Sequence, residues 1–132
     1  MKVVPVVAGL IVKDRKVLLV KRTKSRSPEL VGMWNMPGGK IEEGETPEVA
    51  LVRELEEELG MVVQVKGLLH AQLNNYSSGL CLVLYYHCDV LAERSAGEGL
   101  ETKWTYPHDE ELGNVLPGTQ EALSVLISRG GW

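Results

Sequence analysis

The sequence predicts an α/β or α+β fold in which helices cover a mixed β-sheet. Three observations predict it. The chain opens with two apolar, β-branched runs typical of a hairpin, its middle carries a helix with start and end signals, and further strand-like runs precede a final amphipathic segment. The resulting order is two strands, a helix, three strands and a helix, which favours a sheet with helices packed on it.

The first two strands are predicted to lead into a glycine-rich loop. Residues 3–12 and 16–22 are the apolar runs, separated by the turn sequence KDR. Residues 23–33 are polar and predict a loop. Residues 34–44 predict a second loop that must turn sharply or approach another group closely, because they contain Pro37, Gly38, Gly39 and Gly44.

The central helix is predicted at residues 46–59. Thr46 is the expected N-cap, Pro47 is the expected first helical residue, and Gly60 stands where a left-handed residue ends a helix. The apolar stripe expected to face the core consists of Val49, Val52, Leu55 and Leu59.

The second half of the chain is predicted to contain a long hairpin and a last helix. Residues 62–73 and 80–91 are strand-like and are joined by NNYSSG, and a short strand is expected at residues 101–106. Thr119 is predicted to open the last helix, whose apolar stripe consists of Ala122, Leu123, Leu126 and Ile127.

The composition is that of an ordinary folded protein. With 132 residues, 44% hydrophobic and 24% charged, the chain is expected to form a single domain over residues 1–132. Its formal net charge of -4 argues against a protein that binds nucleic acid by neutralising phosphates. A small phosphorylated molecule remains compatible with this charge if metal ions mediate its binding.

Two features bear on the compartment. The apolar run at residues 3–12 is too short to span a bilayer and continues into KDRK without a cleavage site, so we expect no membrane segment. Cys81 and Cys88 are the only cysteines, and seven positions apart on one strand they would point to opposite faces. A disulfide between them is therefore disfavoured, and we predict a cytoplasmic location.

Three glutamates of the central helix are predicted to form one acidic patch. Glu54, Glu57 and Glu58 are spaced i, i+3 and i+4, so their carboxylates project from one face about one turn long. Such carboxylates repel each other unless a cation lies between them, and hard divalent cations prefer oxygen ligands. The patch indicates a Mg²⁺ or Mn²⁺ site for a phosphate substrate, and for the helix alone the alternative is a solvated acidic face.

The glutamate spacing is part of a longer pattern. Residues 39–61 follow G-x5-E-x7-R-E-U-x-E-E-x-G-U, where U is aliphatic, through Gly39, Glu45, Arg53, Glu54, Leu55, Glu57, Glu58, Gly60 and Met61. All defined positions are filled, and a long pattern with fixed gaps is far more specific than a short glycine motif. With the WNMPG lead-in and the hairpin before it, the sequence resembles the Nudix hydrolase family. This resemblance implies an α/β/α sandwich.

The resemblance also implies a set of catalytic and metal-binding residues. Family members use activated water to attack a phosphorus of a nucleoside diphosphate linked to another group, with divalent cations neutralising the diphosphate. By similarity, Glu54, Glu57 and Glu58 would bind the metal together with the Gly39 carbonyl. Arg53 would orient the acidic cluster and Glu45 would support it. Glu54 is the first choice for the general base, followed by Glu57.

Further candidates lie outside the pattern. Glu98, in the segment EGLETKW, resembles an additional metal ligand or base, and Glu101 competes with it for that role. For both residues a solvated loop position is the alternative. The predicted substrate-binding residues are Arg22, Trp34, Gly38 and Gln120, although a surface arginine and a core tryptophan are equally ordinary uses of these residue types.

A short chain with an N-terminal hairpin leading into the motif looks most like MutT-type members. This likeness implies hydrolysis of a (deoxy)nucleoside triphosphate to the monophosphate and pyrophosphate. The alternatives are hydrolysis of ADP-ribose or a dinucleoside polyphosphate, and a non-catalytic nucleotide-binding module. The predicted partner is a small nucleotide, without nucleic acid or membrane, for a monomer or homodimer.

Overall fold

A computed structural model describes residues 2–23, 27–94, 100–108, 114–130 and 132. The strands are β1 (Val3–Lys13), β2 (Lys16–Lys21), β3 (Trp34–Asn35), β4 (Gly38–Lys40), β5 (Met61–Tyr76), β6 (Gly79–Glu93) and β7 (Thr102–Thr105). The helices are α1 (Pro47–Leu59), α2 (Pro117–Arg129) and a short 3₁₀ helix, Pro28–Leu30. In this part of the chain no helix is long and apolar enough to cross a membrane.

The strands form one mixed sheet. Its main order is β3-β2-β1-β6-β5, with β4 added to β1 and β7 added to β2. β1 and β6 run parallel, whereas β5 and β6 form a long antiparallel hairpin. The parallel pair requires a connection that leaves the sheet, and α1 lies within that connection.

Helices cover both faces of the sheet, so the predicted α/β/α sandwich is confirmed. On one face α1 packs through Leu51, Leu55 and Leu59 against β1, β5 and β6. On the other face α2 packs through Ala122, Leu123 and Leu126 against a separate group that includes Leu10 and Tyr85. Because each face of the sheet has its own apolar layer, the central strands β1 and β6 are buried from both sides.

The predicted ends of α1 are confirmed, but its buried stripe differs from the prediction. The Thr46 hydroxyl accepts a hydrogen bond from the Val49 N–H at 3.2 Å, and Gly60 adopts a left-handed conformation with φ of 60°. Val49 itself is 56% exposed, so placing it in the core was wrong. The core is filled by Leu51, Leu55 and Leu59, and Val49 lies about 200° around the helix from Leu51.

The start of α2 also differs from the prediction. The helix begins at Pro117 with Leu116 as its N-cap, so Thr119 lies inside the first turn. Thr119 is fully buried, and its hydroxyl donates to Asn35 Oδ1 at 2.8 Å instead of capping the helix. Ile127 is 41% exposed and lies outside the buried stripe.

The β5–β6 hairpin is longer than predicted, because its turn uses only Ser77 and Ser78. The loop predicted at residues 34–44 contains two short strands, β3 and β4, which pair with β2 and β1. Cys81 and Cys88 are both free thiols on opposite faces of β6, as expected.

Candidate active site

The loop before α1 approaches the helix closely because it contains two glycines. A Cβ atom at Gly38 would collide with the Val7 carbonyl oxygen across the β4–β1 pair. A Cβ atom at Gly39 would lie 2.5 Å from Cδ of Glu54 and 2.6 and 2.7 Å from its carboxylate oxygens. Only a residue without a side chain allows this approach, so the Gly39 backbone lies directly against the Glu54 carboxylate.

Arg53 connects the glutamates of this region. Its Nε and Nη2 donate to the two oxygens of Glu45 at 2.7 and 2.9 Å, a bidentate arrangement. Its Nη1 donates to Glu54 at 3.1 Å and to Glu57 at 3.3 Å. Nη2 also donates to the Lys40 carbonyl at 3.3 Å. One guanidinium therefore ties the loop to the acidic face of the helix.

The contacts between Arg53 and Glu45 favour the charged forms of both residues. Hydrogen bonds from Arg53, followed by one from the Glu42 backbone N–H, lower the pKa of Glu45 to about 2. The hydrogen bond to Glu45 in turn raises the pKa of Arg53. Glu45 and Arg53 thus remain ionised over the physiological pH range, which fixes the orientation of the guanidinium.

The pKa of Glu58 is shifted in the opposite direction to that of Glu45. Burial, followed by the charge of Glu54 and a hydrogen bond with it, raises the pKa of Glu58 to about 7. The positive charge of Arg22 opposes this shift but does not outweigh it. Glu54 and Glu58 therefore share a site in which the negative charge of Glu58 is unfavourable below about pH 7 unless a further cation is present.

The donor set fits a divalent cation, although the side chains are not arranged as a closed metal site. Among the described residues no three carboxylate, histidine or cysteine side chains converge on one point. The ligands that would bind a cation are Glu54, Glu57, Glu58 and the Gly39 carbonyl, all oxygen donors of the type that Mg²⁺ and Mn²⁺ prefer. The glycine cradle around Glu54 and the proton that Glu58 retains near pH 7 both fit a place for a positive charge.

A cavity of about 160 Å³ adjoins the acidic patch. Its lining combines Glu58 and Gly38 with Arg22 and Thr23, which follow β2, and with Asn35 of β3 and its neighbour Met36. The acidic patch and the predicted substrate residues Arg22 and Gly38 therefore meet at one opening.

Asn35 is a residue of this cavity that the sequence analysis missed. Its Oδ1 accepts hydrogen bonds from the Met36 N–H and from the Thr119 hydroxyl, both at 2.8 Å. A backbone N–H can only donate, so these contacts fix which end of the amide is the oxygen. The other end of the amide, Nδ2, is therefore a donor of fixed position on a residue that lines the cavity. A polar residue between Trp34 and Met36 in the WNMPG lead-in was the available sequence signal.

Arg22 has an orphaned donor. Its Nε is buried and has no hydrogen-bond partner in the described structure. Its backbone is held by the Met33 carbonyl at 3.0 Å and the Gly32 N–H at 2.7 Å, so the residue is anchored in place. Burial raises the pKa of Cys81 and of Tyr76, and the charge of Arg22 opposes both shifts, as it does for Glu58, so the Arg22 guanidinium acts on all three groups.

Among the described residues, the lining of this cavity does not include Trp34, Gln120 or Glu101. Trp34 packs against the α2-side core, with the Lys103 ammonium 4.2 Å from its ring centre. Gln120 is exposed and donates to the Val115 carbonyl at 2.9 Å, beside the start of its own helix. Glu98 lies outside the described residues, and Glu101 is exposed and accepts a backbone hydrogen bond from Lys21 at 3.0 Å. Their functional roles stay predictions.

Comparisons with known proteins agree with this arrangement. The NUDIX domain family matches residues 3–124. The chain is 45% identical over 129 residues to the CTP pyrophosphohydrolase of Escherichia coli, covering 97% of this chain and 94% of that protein. A crystal structure of a MutT NUDIX hydrolase from Burkholderia pseudomallei superposes with a TM-score of 0.83 at 27% identity, covering 96% of this chain and 99% of that one.

A further relative is matched only in part. The chain is 48% identical over 95 residues to the ADP-ribose pyrophosphatase of Methanocaldococcus jannaschii, which covers 70% of this chain. The chain spans 54% of the length of that relative. The family match nevertheless extends over nearly the whole sequence, and the chain belongs to the NUDIX domain family.

Proposed function

We propose that the protein is a divalent-cation-dependent nucleotide pyrophosphohydrolase, converting a (deoxy)nucleoside triphosphate to the monophosphate and pyrophosphate. The observation that carries this proposal is the Arg53 network, which holds the carboxylates of Glu54 and Glu57 on the helix whose Glu58 lines a cavity together with Arg22 and Asn35. A solvated acidic face would not need a buried arginine donor beside it. The names of the Escherichia coli and Burkholderia pseudomallei proteins support the same reaction class.

The proposed reaction is hydrolysis of a phosphoanhydride. A water oxygen forms a new bond to the α- or the β-phosphorus, the anhydride phosphorus–oxygen bond between the monophosphate and the pyrophosphate breaks, and a carboxylate accepts a proton from the water. A bound divalent cation, Mg²⁺ or Mn²⁺, would neutralise phosphate charge and make water a better nucleophile. Glu54 is the preferred base because Arg53 donates a hydrogen bond to its carboxylate and so orients it, and Glu57 and Glu98 are the alternatives.

Two residues would bind the substrate beside this centre. The buried Nε of Arg22 has no acceptor, and a phosphate oxygen is the acceptor that a guanidinium binds best. Asn35 adds a neutral donor of fixed orientation, which suits a phosphate, a sugar hydroxyl or a base carbonyl. Both residues line the same cavity as Glu58, so a polyphosphate in the cavity would reach the acidic patch.

A second substrate class has specific support. The archaeal relative named ADP-ribose pyrophosphatase matches 70% of this chain, and the same carboxylates would serve a diphosphate joined to a sugar. Binding without catalysis is the third reading from the sequence, and it would not require the complete Arg53 network. The cytoplasmic location, the absence of nucleic acid as a partner and the choice between Mg²⁺ and Mn²⁺ stay predictions.

The test is a release assay for phosphate and pyrophosphate in Mg²⁺. It compares the common nucleoside triphosphates with ADP-ribose and diadenosine polyphosphates, for the wild type, Glu57→Gln and the matched control Glu56→Gln. Glu56 is an exposed neighbour on α1 that lies 3.8 Å from Arg94. Turnover should fall at least about 100-fold in Glu57→Gln and remain near wild type in the control.

The products distinguish the candidates. Pyrophosphate released from triphosphates supports the main proposal, whereas turnover confined to ADP-ribose or dinucleotides supports the second class. Full turnover by Glu57→Gln would contradict the assignment of Glu57, and turnover that survives excess EDTA would contradict cation dependence. Binding of a nucleotide by the wild type without any product would favour the non-catalytic reading.

A further inference from the structure

β5 presents an unpaired edge to solvent. It lies at the end of the sheet, and among the described strands only β6 pairs with it. Among the described residues, the backbone groups of residues 67–76 make no backbone hydrogen bond outside the pairing with β6. One row of donors and acceptors along this segment is therefore open to another strand.

The segment lacks the features that usually block strand addition. Its sequence, GLLHAQLNNY, contains neither a charged residue nor a proline over ten positions. Natural edge strands commonly carry lysine, proline or an inward-facing charge for this purpose. Leu73, in the middle of the regular part of the strand, is 57% exposed.

Leu73 is also the end of an apolar row that crosses three strands. Pro5 on β1 is aligned with Leu82 on β6, and Leu82 is aligned with Leu73 on β5. The row lies on the α1 face, since Leu84, two residues from Leu82, packs in the α1-side core. Pro5 is exposed and Leu82 is half-buried, so α1 leaves this end of the sheet face open.

We propose that two copies of the chain pair antiparallel through β5, with Leu73 of each copy facing the other at a two-fold axis. Directly opposed residues in an antiparallel pair project to the same face, so this register places His70 opposite Tyr76 and Gln72 opposite Asn74 across the axis. The apolar row then continues from one sheet into the other. A second copy supplies a matching neutral strand and a matching leucine, which is the self-complementarity that a two-fold interface needs.

This pairing does not depend on the proposed catalytic function, so it is tested by measuring the mass of the protein in solution. Sedimentation velocity over about 1–100 μM, a range that brackets the weak dimers expected of modest interfaces, should show the wild type approaching twice the chain mass of 14.6 kDa. Leu73→Lys places two like charges at the axis and should raise the dimer dissociation constant at least about tenfold. Val49→Lys is the matched control, because Val49 is 56% exposed but lies on α1.

Circular dichroism of both variants should match the wild type, because both side chains are more than half exposed. A wild type that remains monomeric at every concentration overturns the proposal, and so does a dimer that Leu73→Lys leaves unchanged. Capture of an extended peptide by a monomeric wild type would also refute it, since the edge would then serve another partner.

The register has its own test. Opposed residues in an antiparallel pair have Cα atoms about 4.5–5.5 Å apart, within the range that a disulfide bridges. Leu73→Cys, in a chain that also carries Cys81→Ser, should form a covalent dimer under mild oxidation, whereas Val49→Cys in the same background should not. Equal cross-linking of the two variants, or none for Leu73→Cys in a dimeric chain, would contradict the Leu73-centred pairing.

Discussion

Replacing Glu58 by glutamine should stabilise the protein at alkaline pH when divalent cations are removed. The pKa of Glu58 is raised to about 7 by burial and by the neighbouring Glu54 carboxylate. Since the folded state holds the proton more tightly than the unfolded chain, the protonated form favours folding. This contribution is fully present below the unfolded pKa near 4.5 and is lost as the pH rises through about 7. Glutamine never ionises, so the Glu58→Gln protein does not lose this stability as the pH rises.

The magnitude follows from the two pKa values. A change from 4.5 to about 7 corresponds to at most about 3 kcal/mol in the free energy of unfolding. Glu58 is partly exposed, so solvent screening reduces the expected gain to about 1–2 kcal/mol at pH 8. At pH 5 the folded wild type still holds the Glu58 proton and most of this contribution is present, so the two proteins should differ much less.

Urea unfolding in EDTA at pH 5 and pH 8 measures this difference. Glu56→Gln is the control, because it makes the same chemical change on an exposed position of the same helix. Adding Mg²⁺ at pH 8 should reduce or reverse the advantage of Glu58→Gln, since a cation favours the ionised carboxylate of the wild type. The reasoning is refuted if the gap between wild type and Glu58→Gln is the same at both pH values.

Two further predictions concern the loop that holds this patch. Glu45→Gln should lower the urea midpoint at pH 7, because the Glu45 carboxylate has its pKa lowered to about 2 by Arg53. That contribution to stability is present above pH 4.5 and is lost as the pH falls through about 2. The difference in urea midpoint between wild type and Glu45→Gln should therefore disappear in acid. A difference that does not change with pH would contradict this explanation. Gly39→Ala should weaken Mg²⁺ binding at least about tenfold in calorimetry, because the new methyl would displace the Glu54 carboxylate. Gly67→Ala, whose methyl meets open space, is its control, and equal affinities in the two variants would disprove the close-approach argument.

The elements of the fold were predictable where local chemistry decides them. The ends of α1 follow from Thr46, Pro47 and Gly60, and the structure places each of them as expected. The buried side of α1 was not predictable in the same way, because a stripe through Val49 and one through Leu51 are both apolar in sequence. The choice depends on how the helix lies across the sheet, and that is a property of packing between distant segments.

The candidate site was predictable in the segment that is continuous in sequence. Gly39, Glu45, Arg53 and Glu54 lie within sixteen residues, and the structure brings them into contact. Asn35 was missed because its role depends on Thr119, which is 84 residues away and fixes the orientation of the amide. The start of α2 was misplaced for the same reason, since Thr119 is used in that tertiary hydrogen bond and not as a cap.

Arg53 explains how a helix can carry such an acidic face before any cation is bound. Three carboxylates accept hydrogen bonds from its guanidinium, at distances of 2.7 to 3.3 Å, so it provides the compensating charge within the chain itself. It does not contact Glu58 in the described hydrogen bonds, and Glu58 is the glutamate that retains a proton near neutral pH. The arginine therefore neutralises the loop side of the patch and leaves the Glu54–Glu58 side short of positive charge. A divalent cation and a polyphosphate held by Arg22 would meet on that uncompensated side.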